Sequence, residues 1–300
     1  MQYWLDSTKV ESLGEEGTSL PRTKARGACI MVSGFICSCH GFMRNQATKS
    51  FELFEPGKKN GYWTNKDLVE QVQRVMPLFE SLHQNSELVI VFDNSQNHHM
   101  TKEDGLDAGS LNLKKPKKVS TEIRDGYFVR DGVRVLQHMM EDGLARPLKD
   151  ILEERGLWQP KLCKGAAAQL LKEQPDFTGQ KEWLTEVIES RGHQILYLPK
   201  FHCELNPIER VWAHVKHDLR KKCEYSLKSL RAQLPVTLEN VSVDAVRRYF
   251  RRTDRYVSAY AGLNGVTLTP TEAAYVTRKY SSHRRIPAEE IARIVAERGG

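Results

Sequence analysis

The stretch HQILYLPKFHCELNPIERVWAHVKHDLRKK at residues 193–222 predicts a short strand, a turn and a long helix. Residues 195–198 form an apolar run of the length expected of a buried strand, and Pro199 ends it. Asn206 is a favourable N-cap residue, and Pro207 suits the first helical position, where its missing N–H costs nothing. Apolar residues then recur at helical spacing and predict the buried face: Ile208, Val211, Trp212, Val215 and Leu219.

Glu209, at the start of this predicted helix, has two interpretations. It follows Asn206 by three positions, so it could complete a capping box by accepting a hydrogen bond from the Asn206 backbone N–H. Alternatively, it is a metal-binding carboxylate at a strand-to-helix junction that faces a basic surface, because Lys216 and Arg220 follow on the same side of the helix. The segment alone leaves both interpretations open.

Length and composition limit the kinds of protein that this chain can be. A chain of 300 residues can bury a large core, and we expect one main domain with appendages. A net charge of +7 favours a polyanionic partner. Six cysteines without a disulfide-framework spacing indicate a reducing compartment. Without a signal peptide or a long apolar segment, we expect a soluble intracellular protein with no membrane partner.

The rest of the chain predicts an α/β fold with a mixed sheet flanked by helices. Strands are predicted at 28–37, 41–42, 51–54 and 88–92, and helices at 66–84, 144–155 and 181–191. Gly156 and Gly192 would end the last two helices. Functional carboxylates tend to collect where the strands of such sheets end. Asp93 ends one predicted strand and Glu209 opens the helix after another, so the two could face each other.

Three segments resemble mariner-type transposases, which belong to the DDE superfamily of endonucleases. FDNSQNH at 92–98 and LPKFHCELNPIERVW at 198–212 are similar to two signatures of that family. GACIMVSGFICSCHGFM at 27–43 resembles the preceding strand pair of fungal members that carry a long insertion. The resemblance implies an RNase H-like catalytic domain at 1–99 and 181–222, an insertion at 100–180 and a helical, basic C-terminal region at 223–300.

The resemblance also implies phosphodiester cleavage and strand transfer on DNA with Mg²⁺ or Mn²⁺. Asp93 and Glu209 match the family's second and third acidic metal ligands, and Asn94 and Asn206 beside them would orient the carboxylates. His98 matches a histidine of the family, and a structural role is its alternative. The family's partner is the DNA of transposon ends. The nucleus is the expected location, and a homodimer is left open.

One departure from the family pattern bears on activity. The family's first acidic ligand lies on an opening strand, ahead of the region that Tyr3 and Trp4 resemble, so we expect this chain to be truncated and to lack that ligand. The early acids read as solvated loop charges: Asp6, Glu11, Glu15 and Glu16. We therefore expect an impaired nuclease. The alternative is a non-catalytic nucleic-acid-binding remnant of a transposase, whereas an unrelated α/β hydrolase would need a nucleophile-elbow motif that we do not find.

A basic helix is predicted after residue 242. Ser242 would cap it, and the predicted buried stripe contains Val246, Tyr249, Phe250, Val257 and Tyr260. Four arginines would line the opposite face and, with cations of the 193–222 stretch, bind DNA phosphates. A solubilising helix face is the alternative. The predicted DNA-binding residues are Lys216, Arg220, Lys221, Lys222, Arg248, Arg251, Arg252 and Arg255.

Three further patterns are weaker. Cys37, Cys39 and His40 form C-x-C-H, but strand alternation would point neighbouring ligands to opposite faces, which favours ordinary strand residues over a zinc site. His214 and His217 share a helical face, where exposed polar surface is favoured over metal binding. The basic run at 114–118 is a nuclear localisation signal, a phosphate contact or simply solvated.

Overall fold

The computed structural model describes residues 29–57, 60–116, 121–222, 224, 226–262, 267–283 and 285–297. Tyr3, Trp4 and the four early acids fall outside these residues, as do Lys117 and Lys118 of the basic run. The described chain forms two compact units. The first contains the residues up to Asn94 and those from Gly192 onward, and the second is Ser95–Arg191.

Helices and strands occur in both units, which confirms the α/β class. None of the described helices is long and apolar enough to cross a membrane. The strands are β1 (Met31–Gly34), β2 (Ile36–Cys37), β3 (Gly41–Phe42), β4 (Phe51–Phe54), β5 (Val89–Phe92), β6 (Gly126–Arg130), β7 (Val133–Gln137), β8 (Met140–Glu141), β9 (Leu144–Ala145) and β10 (Gln194–Tyr197). The helices are α1 (Asn65–Leu82), α2 (Leu148–Glu154), α3 (Lys164–Lys172), α4 (Pro175–Thr178), α5 (Trp183–Glu189), α6 (Ile208–Lys221), α7 (Leu227–Glu239), α8 (Val243–Ala261), α9 (Pro270–Lys279) and α10 (Ala288–Glu297).

The described strands pair two by two. In the first unit, β1–β4 and β2–β3 are antiparallel, and β5–β10 is parallel. A mixed sheet combines parallel and antiparallel pairs, and both kinds are present. Within the described residues, no hydrogen-bonded ladder joins the parallel pair to the antiparallel pairs. One reason is that the predicted strands are broken into short pieces. Residues 38–40 turn, and Gly41 then takes a φ of 69°, which glycine adopts without strain.

The two strands predicted to be buried are only partly buried. In β5, Ile90 and Phe92 are buried, whereas Val89 and Val91 are exposed. In β10, Leu196 is 52% exposed. The apolar runs therefore predicted the two strands correctly but overestimated their burial, since alternate residues of β5 are buried and none of β10 is.

Helix α1 confirms the helix predicted at 66–84. A capping box of Thr64 and Asp67 starts it, because the Thr64 side chain accepts from the Asp67 N–H and the Asp67 carboxylate accepts from the Thr64 N–H. Buried Gln71 donates from Nε2 to the Ser33 carbonyl oxygen at 3.2 Å, which ties α1 to β1. The helix ends at His83, whose N–H bonds to the Phe79 carbonyl.

Two apolar clusters of the first unit set the position of α6 and α8. One lies between the antiparallel strands and α6, α7 and α8. In it the rings of Trp212 and Phe42 lie 6.0 Å apart, and a Cβ on Gly34 would contact Trp212 at 3.3 Å. The other joins the second half of α8 to α9 and α10 and contains Tyr256, Ala259, Leu268, Ala273, Val276, Ile286, Ile291 and Ile294.

The second unit is organised around a buried ion pair. Arg155 donates two hydrogen bonds to Asp176, at 2.8 and 2.7 Å, and both side chains are 1% exposed. The Arg155 Nε also donates to Gln137 Oε1 at 2.7 Å, and the Tyr127 N–H donates to Asp176 at 2.9 Å. The β6–β7 hairpin is thereby attached to the end of α2 and to α4.

Two helix predictions need adjustment in this unit. The helix predicted at 144–155 begins only at residue 148, because residues 144–145 pair with β8 through a turn in which Gly143 has a φ of 72°. Gly156 and Gly192 do follow helices with positive φ, as predicted. Helix α5, which the sequence assigns to the catalytic domain, lies in the second unit, where the Trp183 N–H bonds to the Met100 carbonyl at 2.9 Å.

Candidate functional site

Asp93 lies where the parallel strands end. The register of β5 and β10 places Phe92 opposite Tyr197, and the Leu198 N–H donates to the Phe92 carbonyl at 2.8 Å. This last bond fixes the direction in which the chain leaves β5. Asp93 follows at once with an exposed side chain, at the carboxyl end of the pair.

The turn between β10 and α6 is held by a half-buried carboxylate. Glu204 accepts hydrogen bonds from the Tyr260 hydroxyl at 2.6 Å and from His202 Nδ1 at 2.8 Å. Burial favours the neutral acid, but the bonds from Tyr260 and His202 outweigh it and hold the pKa of Glu204 below its ordinary value. Because Tyr260 belongs to α8, this helix anchors the turn from which α6 starts.

The N-cap residue of α6 is Pro207 and not, as the sequence predicts, Asn206, although Asn206 contributes a bond to the helix start. Its Oδ1 accepts from the Ile208 N–H at 3.3 Å, two positions on. The capping-box interpretation of Glu209 requires the Asn206 N–H, but that group donates to the Cys203 carbonyl at 3.1 Å. The Asn206 side chain thus has a structural role in the helix start, and the Glu209 carboxylate is not needed for the cap.

Glu209 and Asp93 interact electrostatically. Burial raises the pKa of Glu209, the negative charge of Asp93 raises it further, and Lys216 opposes the shift. The Asp93 charge therefore acts on the half-buried Glu209 carboxyl group, although the two residues are far apart in the chain. Carboxylate oxygens are the ligands that hard cations such as Mg²⁺ prefer.

Asn94 and His98, two other predicted site residues, belong to different units. Asn94 is half-buried and follows Asp93 directly. His98 is half-buried in a short 3-10 helix, Gln96–His99, of the second unit. In the same helix His99 pairs with Glu182 at 3.3 Å, so this segment is tied to the residues that precede α5.

The predicted basic surface is only partly formed. Lys216 is half-buried, whereas Arg220, Lys221 and Lys222 are exposed at the end of α6. On α8, Arg248 and Arg251 are exposed, and Arg252 is half-buried with a buried Nε that finds no partner among the described residues.

The prediction that Arg255 lies with the other arginines on an exposed face of α8 is wrong. Arg255 is 7% exposed, and its guanidinium donates to the His283 carbonyl at 3.0 Å. Helical spacing places it in line with Arg248 and Arg251, but the residues after α9 cover this end of α8. For the same reason Tyr256, and not Val257, continues the buried stripe, and Val257 is 51% exposed.

His214 joins α6 to α8. Its Nδ1 lies 2.8 Å from the Tyr249 hydroxyl and its Nε2 lies 3.1 Å from Asp218. Burial raises the pKa of Tyr249, and the charges of Arg248 and Arg210 oppose this rise. Arg210 is thus a cation near α8 that the sequence pattern does not single out, although its position one residue after Glu209 could have indicated it.

The structure separates Cys39 from the other two residues of the C-x-C-H pattern. Cys39 is exposed in the turn, but Cys37 and His40 gather with His83 from the end of α1. Their candidate ligand atoms all lie within 4.8 Å of one another. Strand alternation does not apply here, because only Cys37 of the three motif residues is in a strand.

No protein-family model, no curated protein and no solved structure matches this chain.

Proposed function

We propose that this chain is a transposon-derived DDE-type endonuclease domain of RNase H-like architecture, which acts on DNA in the nucleus with Mg²⁺ or Mn²⁺. The observation that supports it best is the action of the Asp93 charge on the half-buried Glu209 carboxyl group. Motifs far apart in the sequence supply these two acids, one directly after β5 and one in the first turn of α6, which supports the proposal.

The donor set fits a hard divalent cation. Mg²⁺ prefers carboxylate oxygens and keeps several waters, so a few acidic side chains suffice. Two like charges held near each other disfavour ionisation of Glu209, and a cation between them would relieve this repulsion. When bound, a pair of such ions would supply the chemistry, one activating the attacking oxygen and one stabilising the leaving oxygen of a phosphodiester.

The chain's own residues then have distinct tasks. Asp93 and Glu209 supply oxygen ligands, and Lys216 favours the ionised form of Glu209. The exposed cations of α6 and α8 bind the DNA backbone without reading bases, because phosphate contacts carry no sequence information. His214 keeps the two helices in register through Tyr249 and Asp218.

We expect cleavage to be weak even though DNA binds. Two carboxylates accumulate less negative charge than the three of the family. Loss of one catalytic donor costs about 100- to 1000-fold in rate in well-studied enzymes, and loss of a whole metal ion should cost at least as much. The protein should therefore bind duplex DNA and leave a supercoiled plasmid intact in Mg²⁺ or Mn²⁺.

Mn²⁺ binding, measured by electron paramagnetic resonance, tests the site directly. The Asp93→Asn and Glu209→Gln variants should each bind Mn²⁺ at least tenfold more weakly than the unchanged protein. Glu70→Gln, at an exposed position of α1, is the control and should bind normally. If the unchanged protein binds no Mn²⁺, or if all variants bind equally, the metal site is refuted, and DNA binding without it would favour the non-catalytic remnant.

The plasmid assay separates the remaining outcomes. Robust nicking that disappears in Asp93→Ala would support the endonuclease assignment and overturn the expected impairment. It would mean that another acid completes the site. Nicking that persists in both Asp93→Ala and Glu209→Ala would refute the assignment of these residues.

A further inference from the structure

Three side chains with nitrogen or sulfur donors converge near the C-terminal end of α1. Cys37 Sγ lies 3.6 Å from His40 Nδ1 and 3.7 Å from His83 Nε2. The two histidine nitrogens lie 3.2 Å apart. The three atoms thus form a nearly regular small triangle, and Cys37 and His83 are half-buried whereas His40 is exposed.

These separations are those that a tetrahedral zinc ion would impose. Zinc lies about 2.3 Å from a cysteine sulfur and about 2.0–2.1 Å from a histidine nitrogen. At tetrahedral angles, two nitrogens are then about 3.3 Å apart and a sulfur and a nitrogen about 3.6 Å apart. The observed nitrogen–nitrogen distance of 3.2 Å and the sulfur–nitrogen distances of 3.6 and 3.7 Å agree with these two values.

The backbone around each donor restrains its position. Cys37 ends β2, opposite Gly41 in the hairpin, and its sulfur accepts from the His40 N–H at 3.3 Å. His83 caps α1, where its ring stacks on Phe79 with centroids 4.4 Å apart and planes 19° from parallel. Ordered surroundings of this kind reduce the entropy that a metal must overcome to bring its ligands together.

Hydrogen bonding alone explains the cluster less well. An imidazole pair can share one proton across 3.2 Å, but each sulfur contact of 3.6 or 3.7 Å is then only a weak interaction. Three donors that meet at one point gain more from a cation than from one another. Thiolate and imidazole together select zinc and other late transition metals over Mg²⁺.

We propose that Cys37, His40 and His83 bind one Zn²⁺ ion, with water or a small ligand in the fourth position. The ion fastens the β2–β3 hairpin to the end of α1. Phe35, just before the hairpin, packs edge-on against Phe92 with centroids 5.9 Å apart, so the clamp also supports the strand that ends at Asp93. This proposal does not depend on the nuclease assignment.

Cobalt is a suitable probe, because Co²⁺ bound by a thiolate in a tetrahedral site gives visible absorption and a sulfur-to-metal charge-transfer band. The metal-free full chain is titrated with Co²⁺, and Zn²⁺ is then added to displace it. We expect one Co²⁺ per chain with both spectral features, and complete displacement by Zn²⁺. No saturable binding, or an octahedral spectrum without the charge-transfer band, would overturn the proposal.

Variants assign the ligands. Cys37→Ser should lose the charge-transfer band, and His83→Gln should weaken binding at least tenfold. Cys39→Ser, at the exposed cysteine two positions away, is the matched control and should bind Co²⁺ normally. Equal effects of Cys37→Ser and Cys39→Ser would refute the assignment.

Two further variants test whether lost binding reflects misfolding and whether the metal binds at Asp93 and Glu209 instead. His40→Asn changes an exposed side chain, so its circular dichroism should match that of the unchanged protein while its Co²⁺ affinity falls at least tenfold. Retained affinity in His40→Asn would exclude that ligand and with it the proposed site. Glu209→Gln should retain the cobalt spectrum, and loss of the spectrum there would place the metal elsewhere.

Discussion

Glu209 has a pKa above that of an ordinary glutamate, because its carboxyl group is half-buried and because the negative charge of Asp93 acts on it. Asp93 follows β5 and Glu209 lies in the first turn of α6, which comes after β10, and the parallel pairing of β5 with β10 aligns the ends of the two strands. Like charges held near each other reduce stability unless a cation joins them. Natural proteins accept such a cost at functional sites.

The first prediction is that Glu209→Gln stabilises the protein at neutral pH. A pKa raised by folding means that the folded state holds its proton more tightly, so this group's contribution is full below its unfolded pKa and is lost as the pH rises through the folded pKa. At pH 7 the charged form is the unfavourable one, and glutamine removes it. The free energy of unfolding should rise by about 0.5–1 kcal/mol, a small gain because water screens a half-buried charge.

Urea denaturation at pH 7 and at pH 4 measures this effect. The gain should shrink at pH 4, where Glu209 is more protonated in the unchanged protein. Glu70→Gln is the control at an exposed position of α1 and should change stability little at either pH. A destabilised Glu209→Gln protein at pH 7 would show that the carboxylate makes a favourable contact, and would contradict the strained pair.

The second prediction concerns the exposed arginines of α8. If Arg248 and Arg251 each neutralise a DNA phosphate, replacing both with alanine should reduce the slope of log K against log salt concentration by about 0.9 for each phosphate that is no longer neutralised. Affinity should fall similarly for unrelated duplex sequences, since phosphate contacts do not read bases. Fluorescence anisotropy with two duplexes over a range of salt concentrations gives both quantities.

A charge-matched control separates local contact from overall charge. The Lys66→Ala, Arg278→Ala double variant also removes two exposed cations, from α1 and α9. It should leave the slope nearly unchanged. Equal slopes for all three proteins would mean that the arginine face of α8 is simply solvated, which is the alternative left open by the sequence.

The third prediction is that the Arg155–Asp176 pair holds the second unit together. Asp176→Ala leaves a buried guanidinium without its anion, and removing one partner of a buried pair typically costs about 3–5 kcal/mol. The Tyr127 N–H also loses its acceptor. Denaturation followed by a probe in the second unit should show this loss.

An exposed ion pair serves as the comparison. Lys149 and Glu153 lie 3.6 Å apart one turn from each other on α2, and both are about half exposed. Glu153→Ala should cost at most about 0.5 kcal/mol, because water already screens such a pair. Similar losses for Asp176→Ala and Glu153→Ala would refute the central role of the buried pair.

Features that depend on neighbours in the chain could be predicted from the sequence, but features that depend on distant residues could not. The strand at β10 and the helical spacing of α6 depend on neighbours in the chain, and both are confirmed, although the N-cap residue is Pro207 and not Asn206. Burial of Arg255 depends on residues after α9 that cover it, and these residues cannot be inferred from the helical spacing along α8. His83 likewise lies far from Cys37 in the sequence, so no motif could have joined the two.

The last prediction is that Tyr260→Phe loosens the turn before α6 in a pH-dependent way. The Tyr260 hydroxyl donates to Glu204 at 2.6 Å and, together with His202, lowers the pKa of that carboxyl group against the opposing effect of burial. A lowered pKa contributes stability that is present above the unfolded value, about 4.5, and is lost as the pH falls through the folded value. Removing the hydroxyl should therefore cost about 1 kcal/mol at pH 7 and less at pH 3.

Thermal denaturation at the two pH values measures this difference, with Tyr275→Phe, at an exposed position of α9, as the control that should show no such dependence. Because α6 starts from this turn, Tyr260→Phe should also weaken Mn²⁺ binding by Asp93 and Glu209, and an equal loss of stability at both pH values would show that the hydroxyl does not act through Glu204.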